Sequence, residues 1–240
     1  MTRTLIVAAF ISFVVAQQPN PNQHTPAGGT QKPPQPPKKK TMEEALKDKK
    51  EIPGFLTLYQ DTTNGKLFML VKKDQLNKEY IHFVHGLNGQ INAGVFKGSY
   101  GGARVIKLNR YFNRVEFEVQ NNSMYFDPEN PLHRSAGANV SSAILAASYI
   151  VAEKDGEVLI GVDNVFLSEA LYQITRGFVP GGQNKNPFKI GRLAKERTKY
   201  LSLNNYPENT DLIVQYVYSN PTPTNWGSDV GLTDPRSVNV

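Results

Sequence analysis

The sequence predicts a mainly β (β-rich α+β) fold over residues 41–240, an antiparallel sheet or sandwich with a few short helices. Three observations carry this. Runs rich in β-branched and aromatic residues recur roughly nine times. Tight-turn chemistry joins neighbouring runs, as in Asp61-Thr-Thr-Asn-Gly65 and Lys154-Asp-Gly-Glu157. Arg114–Val119 alternates with period two, so that Val115, Phe117 and Val119 share one face. No internal repeat interrupts the pattern, and one domain of this length is expected rather than two.

The first forty residues stand outside that fold. After Arg3, twelve mostly apolar residues, Leu5–Ala16, end on Val14-Val15-Ala16, the form of a secretory signal peptide cleaved after Ala16. As a helix they would span about 18 Å, short of the roughly 30 Å hydrocarbon core, so no transmembrane anchor is expected. Residues 17–40 hold seven prolines, no aromatic or acidic residue, and Ala27 as the one aliphatic side chain. Such a segment buries too little apolar surface to offset its ordering entropy and reads as a Pro-rich disordered tether that samples polyproline II. The expected localisation is export, to the periplasm or the exterior.

From Thr41 the elements follow in order. Thr41-Met-Glu-Glu44 is a capping box opening a short helix, with Lys47, Lys49 and Lys50 at its cationic end and Pro53-Gly54 stopping it. Phe55–Tyr59 and Leu67–Val71 form a hairpin; Lys73–Lys78 gives a helical turn at most; Tyr80–His85 is a strand. Gly86–Gly102 holds six glycines and reads as a mobile loop. Arg104–Leu108 and Arg114–Val119 make a second hairpin that Ser123–Phe126 extends. The Ala- and Ser-rich run 135–148 suits helix or strand. Asp155-Gly156 turns a third hairpin between Ser148–Glu153 and Val158–Val162. Phe166–Arg176 reads as helical, residues 180–187 as a polar loop, and Asp211–Tyr218 as one long strand.

Several chemistries are absent from the sequence. With no cysteine there is no disulfide, thiolate metal site or cysteine nucleophile. The four histidines, His24, His82, His85 and His133, include no pair at the spacing of a His-Glu-x-x-His helix. His82 and His85, three apart on a strand, point to opposite faces and read as structural. Ser99 lacks the glycine two residues earlier that a nucleophile elbow needs, and no phosphate-binding glycine loop follows a strand. Glu116 and Glu118 read as the solvated side of an amphipathic strand rather than a catalytic carboxylate pair. Asn121 and Asn139 stand in glycosylation-acceptor triplets. Catalytic, cofactor-binding and metal residues are therefore assigned as none.

Arg192-Leu-Ala-Lys-Glu-Arg-Thr-Lys-Tyr200, then Asn205-Tyr-Pro-Glu-Asn209 and the strand after it, resemble the N-terminal region, a domain of unknown function, of bacterial exported zinc-dependent metalloproteases of the metzincin-like class. Gly54-Phe-Leu-Thr-Leu-Tyr59, the glycine-rich stretch before Arg104, Val158–Asp163 and Thr233-Asp-Pro-Arg-Ser237 add to the resemblance, which covers residues 41–240. Tyr206 stands where the family tends to have Phe. The resemblance implies an exported, non-catalytic domain, truncated or standing alone, with zinc only in a catalytic domain that this sequence lacks. The chain itself ends at Ser237-Val-Asn-Val240, the opening of a strand. The implied partner is a metallopeptidase catalytic domain or a protein or peptide substrate.

Two alternatives use other residues. A secreted module binding protein or glycan would need an exposed aromatic platform, for which Tyr100, Tyr111, Tyr125 and Trp226 are candidates. A metal enzyme or hydrolase would draw on His82, His85 or His133. Nucleic acid is disfavoured by where the charge sits. Of the 27 Lys and Arg residues, Arg3, Lys32, Lys38, Lys39 and Lys40 precede the fold, leaving it +1 rather than +6.

Overall fold

The computed structural model describes residues 40–124, 126–127, 129–131, 133, 140–174, 190–223 and 232–240. The signal peptide, the tether to residue 39 with His24, and Tyr125, Asn139, Trp226 and the loop 180–187 lie outside the described residues.

The capping box forms as the sequence predicts: the Glu44 amide donates to Thr41 Oγ1 (3.2 Å) and the Thr41 amide donates to Glu44 Oε2 (3.1 Å). The helix it opens, α1 (Met42–Leu46), is shorter than expected. Asp48 adopts φ +61°, and Lys49 and Lys50 enter β1 (Lys49–Ile52) instead of closing the helix. One turn and a half of helix gains little by itself, whereas β1 gains a ladder with β2 (Thr57–Asp61).

β1 and β2 continue with β3 (Leu67–Val71), β4 (Glu79–His85), β5 (Tyr100–Tyr111), β6 (Arg114–Val119), β7 (Ala143–Lys154) and β8 (Glu157–Gly161). These eight form one antiparallel sheet in the order β1-β2-β3-β8-β7-β6-β5-β4. The Asp155-Gly156 turn has positive φ at both residues, as that dipeptide predicts. β7 pairs with β6 through its first half and with β8 through its second. Between them lies a bulge at Val151, so Ile150 and Ala152, two residues apart, face opposite sides of the sheet.

The alternation assigns the two faces. Met69 and Val71 of β3, Ile160 of β8 and Phe117 of β6 bury one face in the main core, while Leu70 and Leu159 turn to the other and pack on Met42 and Ala45 of α1. The hairpin of β10 (Lys199–Asn205) and β11 (Thr210–Gln215) lays Tyr200, Leu203 and Leu212 against the main core. β12 (Val217–Ser219) pairs with β9 (Arg192–Leu193) and β13 (Ser237–Asn239) in a small third sheet. The C-terminal strand thus has a partner, and Val240 exchanges both backbone bonds with Tyr216.

Four expectations are corrected. The helix expected over 166–176 is α2 (Asp163–Phe166); Leu167 leaves helical geometry and the Ser168 hydroxyl donates back to the Asn164 carbonyl, ending it. Asp211–Tyr218 is not one strand, because the chain changes sheets at Tyr216. Ser123-Met124 bends away rather than extending the sheet. Glu116 is buried, not solvated: β6 is interior to the sheet, and Arg114 covers the carboxylate at 2.6 Å. The ambiguous run 135–148 is a strand from Ala143.

Candidate functional site

β4 reads Glu79-Tyr-Ile-His-Phe-Val-His85, a β-favouring run, and lies at the sheet edge with β5 on one side. Its faces differ. Tyr80, His82 and Val84 are half-buried. The Tyr80 hydroxyl donates to the Gln75 carbonyl (2.9 Å) and its ring meets Phe55 edge-on at 5.6 Å. On the other face Ile81 and Phe83 are 68 % and 59 % exposed, opposite Val105 and Ala103 of β5. Six of the twelve exposed large hydrophobic residues among those described fall between Ile81 and Tyr100. That concentration is what distinguishes this stretch, since single exposed apolar residues are ordinary.

Polar side chains bracket the strand. Glu79 at one end lies 3.5 Å from Lys107 and keeps a side chain 61 % exposed. His85 at the other end stacks obliquely on Tyr100 with ring centres 5.4 Å apart. His82 faces the opposite side from His85, as their spacing predicts, and sits across from Arg104. Burial first, and then the Arg104 guanidinium, hold the His82 imidazolium below the usual histidine range. Arg104 donates to the Leu171 carbonyl at 3.2 Å. His133 is elsewhere, its Nδ1 3.2 Å from the Phe126 carbonyl. Among the described residues no three acidic or histidine side chains gather where a metal could be held.

The glycine-rich stretch carries secondary structure and buries Val95. A one-turn 3-10 helix spans Ile91–Ala93, Val95 is buried in a small cluster with Ile174, Ile190, Tyr218 and Val238, and β5 already begins at Tyr100. Gly86 is required because a Cβ there would lie 2.4 Å from Ser99 Oγ and 2.9 Å from the Phe96 carbonyl oxygen. This is a folded connection that holds the end of β4 in place.

The aromatic platform does not assemble from the described candidates. Tyr100 and Tyr111 are the first and last residues of β5, up to roughly 36 Å apart along a strand. Tyr111 pairs with exposed Phe112, whose φ of +49° is unusual for a bulky residue.

No family model, curated protein or solved structure matches this chain. The segments behind the metalloprotease resemblance can still be located. Gly54 and Asn205 meet: Asn205 Nδ2 donates to the carbonyls of Ile52 (2.8 Å) and Leu56 (2.6 Å), and its Oδ1 accepts from Thr210 Oγ1 (2.7 Å). A Cβ on Gly54 would lie 2.3 Å from that amide, so the glycine is what lets Asn205 in. These motif residues form a structural clamp between the β1–β2 turn and the β10–β11 hairpin.

Sequence reasoning missed a second buried arrangement. Asp163 Oδ1 accepts from the Leu67 amide and the Tyr200 hydroxyl (both 3.0 Å), and Glu169 Oε1 accepts from the Tyr218 hydroxyl (2.7 Å). Burial foremost, with the adjacent carboxylates, pushes both phenols well above the usual tyrosine range. Tyr216, which donates to the Ser168 carbonyl (2.9 Å), is pushed up to about 12. These phenols stay neutral donors and fasten α2 and the turn after it to β10 and β12. Partners this far apart in the chain leave no local signal.

Proposed function

We propose that this chain is an exported, non-catalytic domain that binds extended polypeptide by adding it as a strand to β4. The observation that carries the reading is a sheet edge that no strand among the described residues covers, whose exposed face, Ile81 and Phe83, is apolar. Strand addition supplies backbone hydrogen bonds for affinity and alternate side chains for selectivity. The reading agrees with the resemblance to the N-terminal regions of zinc-dependent metalloproteases, in which such a domain would hold substrate chain for a separate catalytic domain. The apolar run Leu5–Ala16 supports delivery outside the cytoplasm.

The test uses casein as an unstructured polypeptide. Fluorescence anisotropy is expected to show salt-resistant binding that Phe83→Lys weakens at least about tenfold. Binding unchanged in Phe83→Lys discards the site. The casein is expected to stay intact, and elemental analysis to find no stoichiometric zinc. EDTA-sensitive cleavage, or about one zinc per chain, overturns the non-catalytic assignment.

A further inference from the structure

Half of the backbone N–H and C=O groups of β4 are directed away from β5, and among the described residues no strand pairs with them. The sequence of β4 itself indicates what fits there. Read antiparallel against a second copy of itself, with His82 opposite His82, every exposed-face position meets a complement. Ile81 meets Phe83, Phe83 meets Ile81, and Glu79 at each end meets His85. On the half-buried face Tyr80 meets Val84. No other register does this. A two-residue slip either way sets Glu79 or His85 against an apolar or amide side chain, and a one-residue slip sets the exposed face of one strand against the half-buried face of the other.

We propose that β4 is a homodimerisation edge, joining two copies about a two-fold axis at His82 into one continuous sixteen-stranded sheet. The interface is isologous, as a two-fold contact requires. About six backbone hydrogen bonds would cross it, flanked by two Ile–Phe pairs and two Glu–His pairs. Glu79 serves the partner while keeping Lys107, because its side chain is 61 % exposed and a carboxylate accepts several hydrogen bonds. His85 presents an N–H to that carboxylate in either protonation state. The charged groups facing His82 are Arg104 on β5 and, across the axis, the second His82.

The proposal rests on the same open edge as polypeptide binding, with the second copy as the strand that covers it until a competing chain arrives. Sedimentation velocity of the purified full chain over a concentration series is expected to show a monomer–dimer equilibrium. Phe83→Lys should weaken it at least about tenfold. His85→Glu, which sets two carboxylates together at each end, should also weaken it. Adding Glu79→Lys to that variant should restore association to within about threefold of the parent. In this cysteine-free chain, His82→Cys should give a disulfide-linked dimer on mild oxidation, and Lys50→Cys on β1 should not. A monomer at every concentration, a dimer indifferent to Phe83→Lys, or absence of the charge-swap rescue would overturn the proposal. The oxidation experiment stands even where an exposed-face variant folds poorly. A monomer that still binds casein through Phe83 removes the second copy and keeps polypeptide binding; a symmetric dimer that ignores casein does the reverse.

Discussion

At one edge of the eight-stranded sheet β1 presents Lys50 and Glu51; at the other, β4 presents Ile81 and Phe83. The first edge is guarded twice. Exposed Lys50 makes strand addition costly in desolvation, and the Asn205 clamp fastens the end at Ile52 to the β10–β11 hairpin. Lys49 is also committed to Asp61 at 3.3 Å and lies over the Phe68 ring. On its exposed face the second edge has polar side chains at its ends alone, Glu79 and His85, with Ile81 and Phe83 between. One edge is blunted this thoroughly, while among the described residues no strand covers the other; that contrast is what the proposals for β4 rest on.

The largest expected effect tests the guard on β1. Asn205→Ala removes two bonds to backbone carbonyls and one from Thr210, and should cost roughly 2–3 kcal/mol, read as a lowered urea midpoint. A loss under about 0.5 kcal/mol would mean the clamp is not what secures that edge. Phe83→Lys on β4 should do the opposite: at protein concentrations low enough for the parent to be monomeric, its urea midpoint should stay within about 0.5 kcal/mol of the parent, while association and casein binding fall. A large stability loss would show Phe83 to be core. Converting the guarded edge is the reciprocal case: Lys50→Val should leave stability nearly unchanged yet add a concentration-dependent rise in light scattering, and no rise would remove charge as the guard.

The smallest effect is in pH. The folded state holds the His82 pKa down, through burial and then Arg104, so the unfolded chain binds more protons than the folded one as pH falls through about 6.5. Stability should therefore fall with acidification from about 6.5 to the depressed folded value, then level off as far as His82 is concerned. Urea midpoints between about pH 8 and pH 5 should drop more for the parent than for His82→Gln. Equal drops would place the pH dependence elsewhere.

Much of this was legible locally. Asp155-Gly156 fixed its hairpin, the Thr41–Glu44 box fixed the start of α1, and the alternation of Val115, Phe117 and Val119 gave the core face of β6, because each depends on residues within a few positions. The misreadings fell where distant partners outweigh local preference. Lys49 and Lys50 suit a helix end until β2 offers a ladder. Asp211–Tyr218 reads as one strand until β13 and β9 take its last residues into another sheet. Glu116 reads as solvated until an interior strand position and Arg114 bury it. The composition of β4 was visible at once, but its position at the sheet edge was not, since nothing in a strand's own residues says whether one neighbour or two will pair with it.

The sequence by itself therefore determined the β-rich class, the turns, the lack of thiol chemistry and the confinement of excess positive charge to residues before the fold. These follow from backbone preference and composition, which act residue by residue. The tertiary structure decided the strand order, the Asn205 clamp, the neutral phenols held by Asp163 and Glu169, and which strands became edges. Those depend on contacts between segments far apart in the chain, where the free energy of pairing and burial belongs to both partners and is written in neither alone.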